Sequence, residues 1–199
     1  MVESYPVFGK NIVPDYLIAE VIKGKPYYYK GYKNVLNKEQ TLEDIMGASG
    51  LQGLVVGYLM RLLAALDDDA YHILPNETGI HFDTNNNLSG DILIFDASKP
   101  IIFDTHYVSR APDINIEVDV NVDIADADEQ EYVFDKIQTL LDFGTEKVIW
   151  IFTKSDTVLV ATPNADWQWI STTKDIEILR GITFNIADFL KRKSHLIRK

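Results

Sequence analysis

Ala111-Pro112-Asp113-Ile114-Asn115-Ile116-Glu117-Val118-Asp119-Val120-Asn121-Val122 is the stretch on which the reading of this chain turns. From Ile114 onward the apolar residues fall on every second position, the period of a strand, and Asn115, Glu117, Asp119 and Asn121 take the other face. The pattern predicts one core-facing side and one polar wall carrying two acids. Upstream, Asp91-Ile92-Leu93-Ile94-Phe95 reads as another strand. It opens on an acid behind Gly90, a residue that lets another group approach the backbone closely. Downstream, Val133, Ile137, Leu140 and Leu141 form the buried stripe of a helix running from about Glu129 to Phe143, with Gly144 at its C′ position. Lys136 is the only basic residue between Ala111 and Thr145. Its stem borders the stripe, which brings its ammonium toward the sheet edge. Lys147-Val148-Ile149-Trp150-Ile151-Phe152-Thr153 closes the region as a strand apolar enough to be covered on both faces.

Two acids on successive strands with a lysine nearby are the minimal kit for metal-assisted phosphodiester hydrolysis. A hard ion, Mg²⁺ or Mn²⁺, prefers carboxylate oxygens, lowers the pKa of a bound water and offsets charge on the phosphate. A lysine beside it orients the water or stabilises the transition state. Glu117 and Asp119 share a strand face with no cation nearby in sequence, so they repel one another unless solvent or a metal relieves them. The plainer alternative is a solvated sheet face, where acids and lysines are routine.

The flanks supply scaffolding. Tyr16 to Ile22 and Pro26 to Tyr29 read as a hairpin around Lys23-Gly24-Lys25, with tyrosines that serve packing before base stacking. Thr41 caps a short acidic helix start that Gly47, Ser49 and Gly50 interrupt. Leu51, Leu54, Val55, Tyr58, Leu59, Leu62, Leu63 and Leu66 then mark four turns of amphipathic helix, and Asp67-Asp68-Asp69 reads as solvated loop. Tyr71 to Leu74 is a short strand. Asp83-Thr84-Asn85-Asn86-Asn87 is an Asn-rich turn, since it lacks the glycine and closing glutamate of a calcium loop. Lys99 to Phe103 continues with strand-like apolar character, and Asp123 to Asp128 is an acidic loop. Lys154-Ser155-Asp156 turns into Thr157 to Ala161, and Trp167 to Ile170 and Ile176 to Leu179 add short strands. Asn185 caps a last helix from Ile186 to about Lys193. The basic run from Lys191 to Lys199 reads as cations at a helix C-terminus followed by a frayed end. His72, His81, His106 and His195 lack zinc-ligand spacing.

The 199 residues are most simply one domain, 1–199, with a core at about 41–153, an N-terminal hairpin at 16–32 and a C-terminal hairpin and helix at 154–199. No apolar run approaches bilayer length, the opening residues lack the pattern of a signal peptide, and there is no cysteine. A cytoplasmic protein without a membrane partner is the expectation. The net charge of −11 argues against nucleic acid, which is bound largely through phosphate contacts. The sign is segregated, however: Ala111 to Asp135 holds nine acids and no Lys or Arg, whereas Lys191 to Lys199 holds five basic residues and no acid.

Ser89-Gly90-Asp91-Ile92-Leu93-Ile94, Ala111-Pro112-Asp113-Ile114-Asn115-Ile116-Glu117-Val118, Lys136 with Gly144, and Lys147-Val148-Ile149-Trp150-Ile151 together resemble the Uma-two family. Its members are regarded as restriction-endonuclease-like proteins of the PD-(D/E)xK superfamily. Glu20, the Gly24 turn and the helix from Ser49 to Leu66 fit the same pattern, so the resemblance covers most of the chain. It implies an α/β (α+β) fold, a mixed central sheet flanked by helices with an αβββαβ core and extra hairpins. It also implies that Asp91 and Glu117 are the catalytic and metal-holding acids. The lysine that the superfamily carries two residues after the second acid is replaced here by Asp119, an additional metal ligand or a disturbance of the site. Lys136 matches the family's substitute from the following helix. Glu20 and Gln52 match weaker auxiliary positions. The resemblance thus implies a Mg²⁺- or Mn²⁺-dependent endonuclease with DNA as its partner. The alternative is a nuclease fold kept as a non-catalytic binding or assembly module, and a homo-oligomer is compatible with either.

Overall fold

A computed structural model describes residues 7–8, 11–122 and 124–197. Asp123 of the acidic loop and Arg198 and Lys199 of the basic tail lie outside them. The chain opens with the paired strands β1 (Val7–Phe8) and β2 (Asn11–Ile12), then the hairpin β3 (Ile18–Ile22) and β4 (Lys25–Tyr28). Helices α1 (Tyr32–Leu36), α2 (Glu43–Met46) and α3 (Gly50–Leu63) lead into β5 (Tyr71–Asp83), β6 (Asn86–Asp96) and β7 (Ile114–Asp119). Helix α4 (Ala127–Asp142) crosses over to β8 (Lys147–Phe152), followed by β9 (Thr157–Ala161) and β10 (Gln168–Ser171). A small pair, β11 (Ile176–Leu179) and β12 (Ile182–Phe184), and helix α5 (Ile186–Arg192) complete the chain.

The main sheet runs β10-β9-β8-β7-β6-β3-β4, with β5 on β6 as an additional pairing. Among the described strands of this sheet only β7 and β8 pair in parallel, because α4 carries the chain back across the sheet between them. The expected αβββαβ core is therefore α3-β5-β6-β7-α4-β8, inside a mixed α+β fold. Alternation sorts the core into two layers. Ile92, Ile94, Ile116, Ile149 and Ile151 pack with Val55, Leu59 and Leu63 of α3, while Leu93, Phe95, Trp150 and Phe152 pack with Val133, Ile137 and Leu140 of α4. Each such residue, fully buried, contributes roughly 1.5–3 kcal/mol.

This two-sided cover corrects the expectation of a solvated polar wall. Asn115 and Glu117 face α4 and are buried, and β7 ends at Asp119 instead of reaching Val122. The short strand expected at Tyr71–Leu74 is in fact thirteen residues long. Pro75 does not stop it, because the β5–β6 register shifts directly after it, and a missing N–H is tolerated at a bulge. Lys99–Phe103 forms no strand, and Ile102 is 82% exposed. Thr41 does not cap α2. Its N–H and hydroxyl both donate to Asp44 Oδ2, at 2.8 and 3.0 Å. Helix α4 starts two residues earlier than read, where Asp126 accepts the N–H groups of Asp128 and Glu129.

By length and mean hydropathy alone Glu43–Leu63 passes as a helix able to cross a membrane. It is not one continuous helix here. Extended backbone at Gly47 separates α2 from α3, and α3 at about 1.5 Å per residue is shorter than a bilayer core.

Candidate active site

Strand β6 is the hub of the site. One edge pairs with β5 along its length, and the other is divided between two strands. Ile92–Ile94 pair with Ile116–Ile114 of β7, and Asn87 pairs with Val21 of β3. Between these ladders the strands part, and buried backbone donors there must find partners elsewhere. Side chains provide them. Glu20 Oε1 accepts the Ser89 N–H at 2.8 Å and its hydroxyl at 3.0 Å. Asp91 Oδ2 accepts the Val118 N–H at 2.7 Å. The parting of the sheet thus explains why acids sit inside it.

Lys136 reaches into the same space from α4. Its Nζ lies 2.8 Å from Glu20 Oε1 and 3.1 Å from Glu117 Oε1, and 5.5 Å from the centre of the Trp150 ring. Only 2% of Lys136 is exposed, so the ammonium is turned inward and not toward the sheet edge. Tyr132, one turn earlier on α4, donates its hydroxyl to Glu20 Oε2 at 2.8 Å. Asn115 Nδ2 donates to Glu117 Oε1 at 2.8 Å. Gly90 makes room for that amide, since a Cβ there would collide with Asn115 Oδ1 and Leu93 Cδ2. On the opposite layer, Ser49 caps α3 through the Gln52 N–H, and Gln52 Nε2 donates to Asp91 Oδ1 at 3.0 Å.

Of the six residues the sequence nominates, the structure therefore joins five: Glu20, Gln52, Asp91, Glu117 and Lys136. Asp119 takes a different part. Its Oδ1 accepts the Asn121 and Val122 N–H groups at 3.1 and 2.9 Å and closes the turn after β7. It stays near enough to raise the Asp91 pKa through like charge.

Three buried carboxylates, Glu20, Asp91 and Glu117, face one buried ammonium. Glu117 responds most. Burial pushes its carboxyl up to about 8, with Asp91 and Glu20 adding to the rise while Lys136 and Asn115 oppose it. Burial also raises Asp91, against the Val118 N–H, Lys136 and Gln52. Burial alone would lower the Lys136 pKa, but the flanking Glu117 and Glu20 carboxylates hold it well above the ordinary lysine value.

A fourth acid joins that the sequence reading missed. The β5–β6 register slips between Pro75↔Ile92 and Thr78↔Gly90, leaving Asn76 and Glu77 as a bulge opposite Asp91. Both adopt left-handed backbone, with φ of 74° and 51°. Glu77 is itself exposed, and its carboxyl is raised by partial desolvation and by Asp91 and Glu20, and relieved by Lys136. Pro75-Asn76 is the only local hint of this bulge, and it reads equally well as the end of a strand.

The donor set suits a hard divalent cation in part. Among the described residues no three or more of His, Cys, Asp and Glu are grouped to hold a metal by themselves. Mg²⁺, however, is commonly bound by one or two carboxylates with water and substrate phosphate completing its shell. Asp91 and Glu117 are such a pair, adjacent across the parting of β6 and β7. Among the described residues Glu117 Oε2 receives no hydrogen bond.

The fold has a counterpart among solved structures. A candidate nuclease belonging to DUF820, from Anabaena variabilis, superposes with a TM-score of 0.62 at 16% identity, over 86% of this chain and 89% of that one. No family model and no curated protein matches the chain. At this identity the likeness is one of fold, a mixed sheet flanked by helices, shared with a candidate nuclease.

Proposed function

We propose that the chain is a Mg²⁺- or Mn²⁺-dependent endonuclease that hydrolyses DNA phosphodiester bonds at the parting of β3, β6 and β7. The observation that carries this reading is the charge imbalance: three buried carboxylates with one ammonium, so that the site lacks positive charge. Buried acids without matching cations are costly, and they gather where a cation is to be bound.

In this reading Asp91 and Glu117 would hold the metal, with Asp119 close enough to contribute to the field. The ion would supply a Lewis acid for the phosphate and an acidified water. In hydrolysis the water oxygen bonds to phosphorus, the P–O ester bond breaks and the departing oxygen takes up a proton. Lys136 does not reach the substrate from its buried place. It is a positioning residue that holds Glu20 and Glu117 at fixed separation and offsets part of their charge. Gln52 and the Val118 N–H orient Asp91 in the same way.

The test is an Mg²⁺- and Mn²⁺-dependent cleavage assay on supercoiled, linear, single-stranded and branched DNA, with Glu117→Ala alongside. Loss of cleavage and weaker Mn²⁺ binding in a folded variant is the expected result. Unchanged Mn²⁺ affinity would sink the ligand assignment.

A second reading, a non-catalytic nuclease-fold module, is favoured by one feature. The net charge is −11, a balance that repels DNA phosphates. It predicts neither metal nor nucleic-acid binding at low salt, whereas the endonuclease reading predicts both.

A further inference from the structure

Tyr107 stands on the connection between β6 and β7 with 58% of its surface exposed. The segment beneath it is pinned to β5. Val108 N–H donates to Gly79 O at 3.0 Å, His81 N–H donates to Val108 O at 2.9 Å, and Ile80 bridges Val108 in parallel. A Cβ built on Gly79 would lie 2.5, 2.6 and 2.7 Å from Tyr107 Cδ1, Cε1 and Cγ. Near-equal distances to three consecutive ring atoms place Gly79 under the ring face and not at its edge. Glycine therefore lets the ring lie flat on the strand. Gly79 is only two residues beyond Glu77, the bulge residue facing Asp91.

Tyr29 follows β4 directly, and its N–H donates to Leu17 O at 3.0 Å. Its hydroxyl is raised first by burial and then by Glu77, Tyr107 and Glu20, so it lies within electrostatic reach of all three. The result is a fixed, uncharged aromatic face held beside the buried carboxylates.

The lysines of the β3–β4 region that carries Tyr29 narrow what the site takes. Lys23, Lys25 and Lys30 each pair with an acid of α4: Asp135 at 2.9 Å, Glu131 at 2.9 Å and Glu129 at 2.7 Å. Duplex binding draws its affinity from phosphate neutralisation, and these lysines already serve carboxylates. Stacking on an aromatic ring tolerates any sequence, and it takes a base that is unpaired and splayed out.

We propose that the site takes unpaired nucleic acid, with a nucleobase stacked on the outer face of Tyr107 beside Tyr29, in preference to intact duplex. This rests on the phosphodiesterase reading above and names its substrate class.

The experiment is fluorescence anisotropy on the full chain in EDTA, where no cleavage occurs. A labelled pyrimidine-rich single-stranded DNA, the same sequence as RNA and a blunt duplex are the probes, with Tyr107→Ala and Tyr107→Phe as variants. Both single strands should bind more tightly than the duplex. Tyr107→Ala should weaken single-strand binding by roughly tenfold, while Tyr107→Phe retains it. Equal or tighter duplex binding, indifference to Tyr107→Ala, or no binding of any probe overturns the proposal. Single-strand binding through Tyr107 without metal-dependent cleavage would overturn hydrolysis and leave this inference standing. Glu117-dependent cleavage of duplex, unaffected by Tyr107→Ala, would do the reverse.

Discussion

Two buried carboxylates bracket β7 in opposite surroundings. Asp113 precedes the strand, Glu117 lies near its end, and each is 8% exposed. Asp113 meets two cations, Lys99 and Arg110, and its Oδ2 also accepts the Asp96 N–H at 2.6 Å. Lys99 reaches onward to Glu146 at 2.7 Å, at a partly hydrated rim. Glu117 instead shares one fully buried ammonium with Glu20 and has Asp91 beside it. Burial is equal, yet charge is balanced at one end and acid-rich at the other. Burial alone therefore does not mark a functional acid. A shortage of partners does, because only the second cluster gains from an added cation.

The largest expected effect is at Lys136. Lys136→Met leaves the acids with no buried cation and should cost about 3–5 kcal/mol of stability near pH 8, measured by urea unfolding. The loss should shrink near pH 5, where protonation removes the uncompensated charge. A loss below about 1 kcal/mol would erase the contrast between the two ends of the strand.

Next is the pH dependence that Glu117 confers. Its carboxyl in the fold titrates near 8, above the unfolded value of about 4.3, so the folded chain keeps a proton that the unfolded chain releases. Stability from this group is full below the unfolded pKa and declines as pH rises to about 8. Glu117→Gln should therefore flatten the fall in melting temperature between about pH 5 and pH 8, and gain on the order of 1–3 kcal/mol at the upper end. Added Mn²⁺ should raise the melting temperature of the wild type there and not that of the variant. Identical pH slopes for the two proteins would count against a raised Glu117.

Asp113→Asn sharpens the comparison from the balanced side. Its cations can turn to water, so the cost should be about 1–2 kcal/mol, with metal affinity and cleavage unchanged. A drop in Mn²⁺ affinity would show that the two clusters are coupled through β7. The smallest effect is at Gln52. Gln52→Ala removes one hydrogen bond to Asp91 and should cost about 1 kcal/mol or less. Because that bond lowers the Asp91 pKa, its loss should move the pH midpoint of Mn²⁺ binding upward.

Much of the frame was legible because it follows from period and punctuation. The alternation of Ile114 to Val118, the stripe of α4, the glycine at 144 with φ of 108° and the asparagine cap of α5 each act through near neighbours in sequence. The site was legible in part for the same reason, since Asp91, Glu117 and Lys136 lie on elements whose faces period predicts. Glu77 was not. Its place depends on a one-residue slip against β6, and register is set by the partner strand. Tyr27 was legible as a packing residue, and its ring meets Tyr132 at 5.0 Å.

The sequence by itself determined which residues are acids, that they fall on strands, that a lone lysine follows them on a helix, and that the chain carries a large negative charge. Only the tertiary structure decided how these meet. It buried the polar face of β7 under α4, turned Lys136 inward between Glu20 and Glu117, gave Asp119 to a turn, and brought Glu77 opposite Asp91. The physical reason is that local period fixes which face a side chain takes. What covers that face, and whether charges buried there find partners, depends on segments more than a hundred residues apart, as Glu20 and Lys136 are.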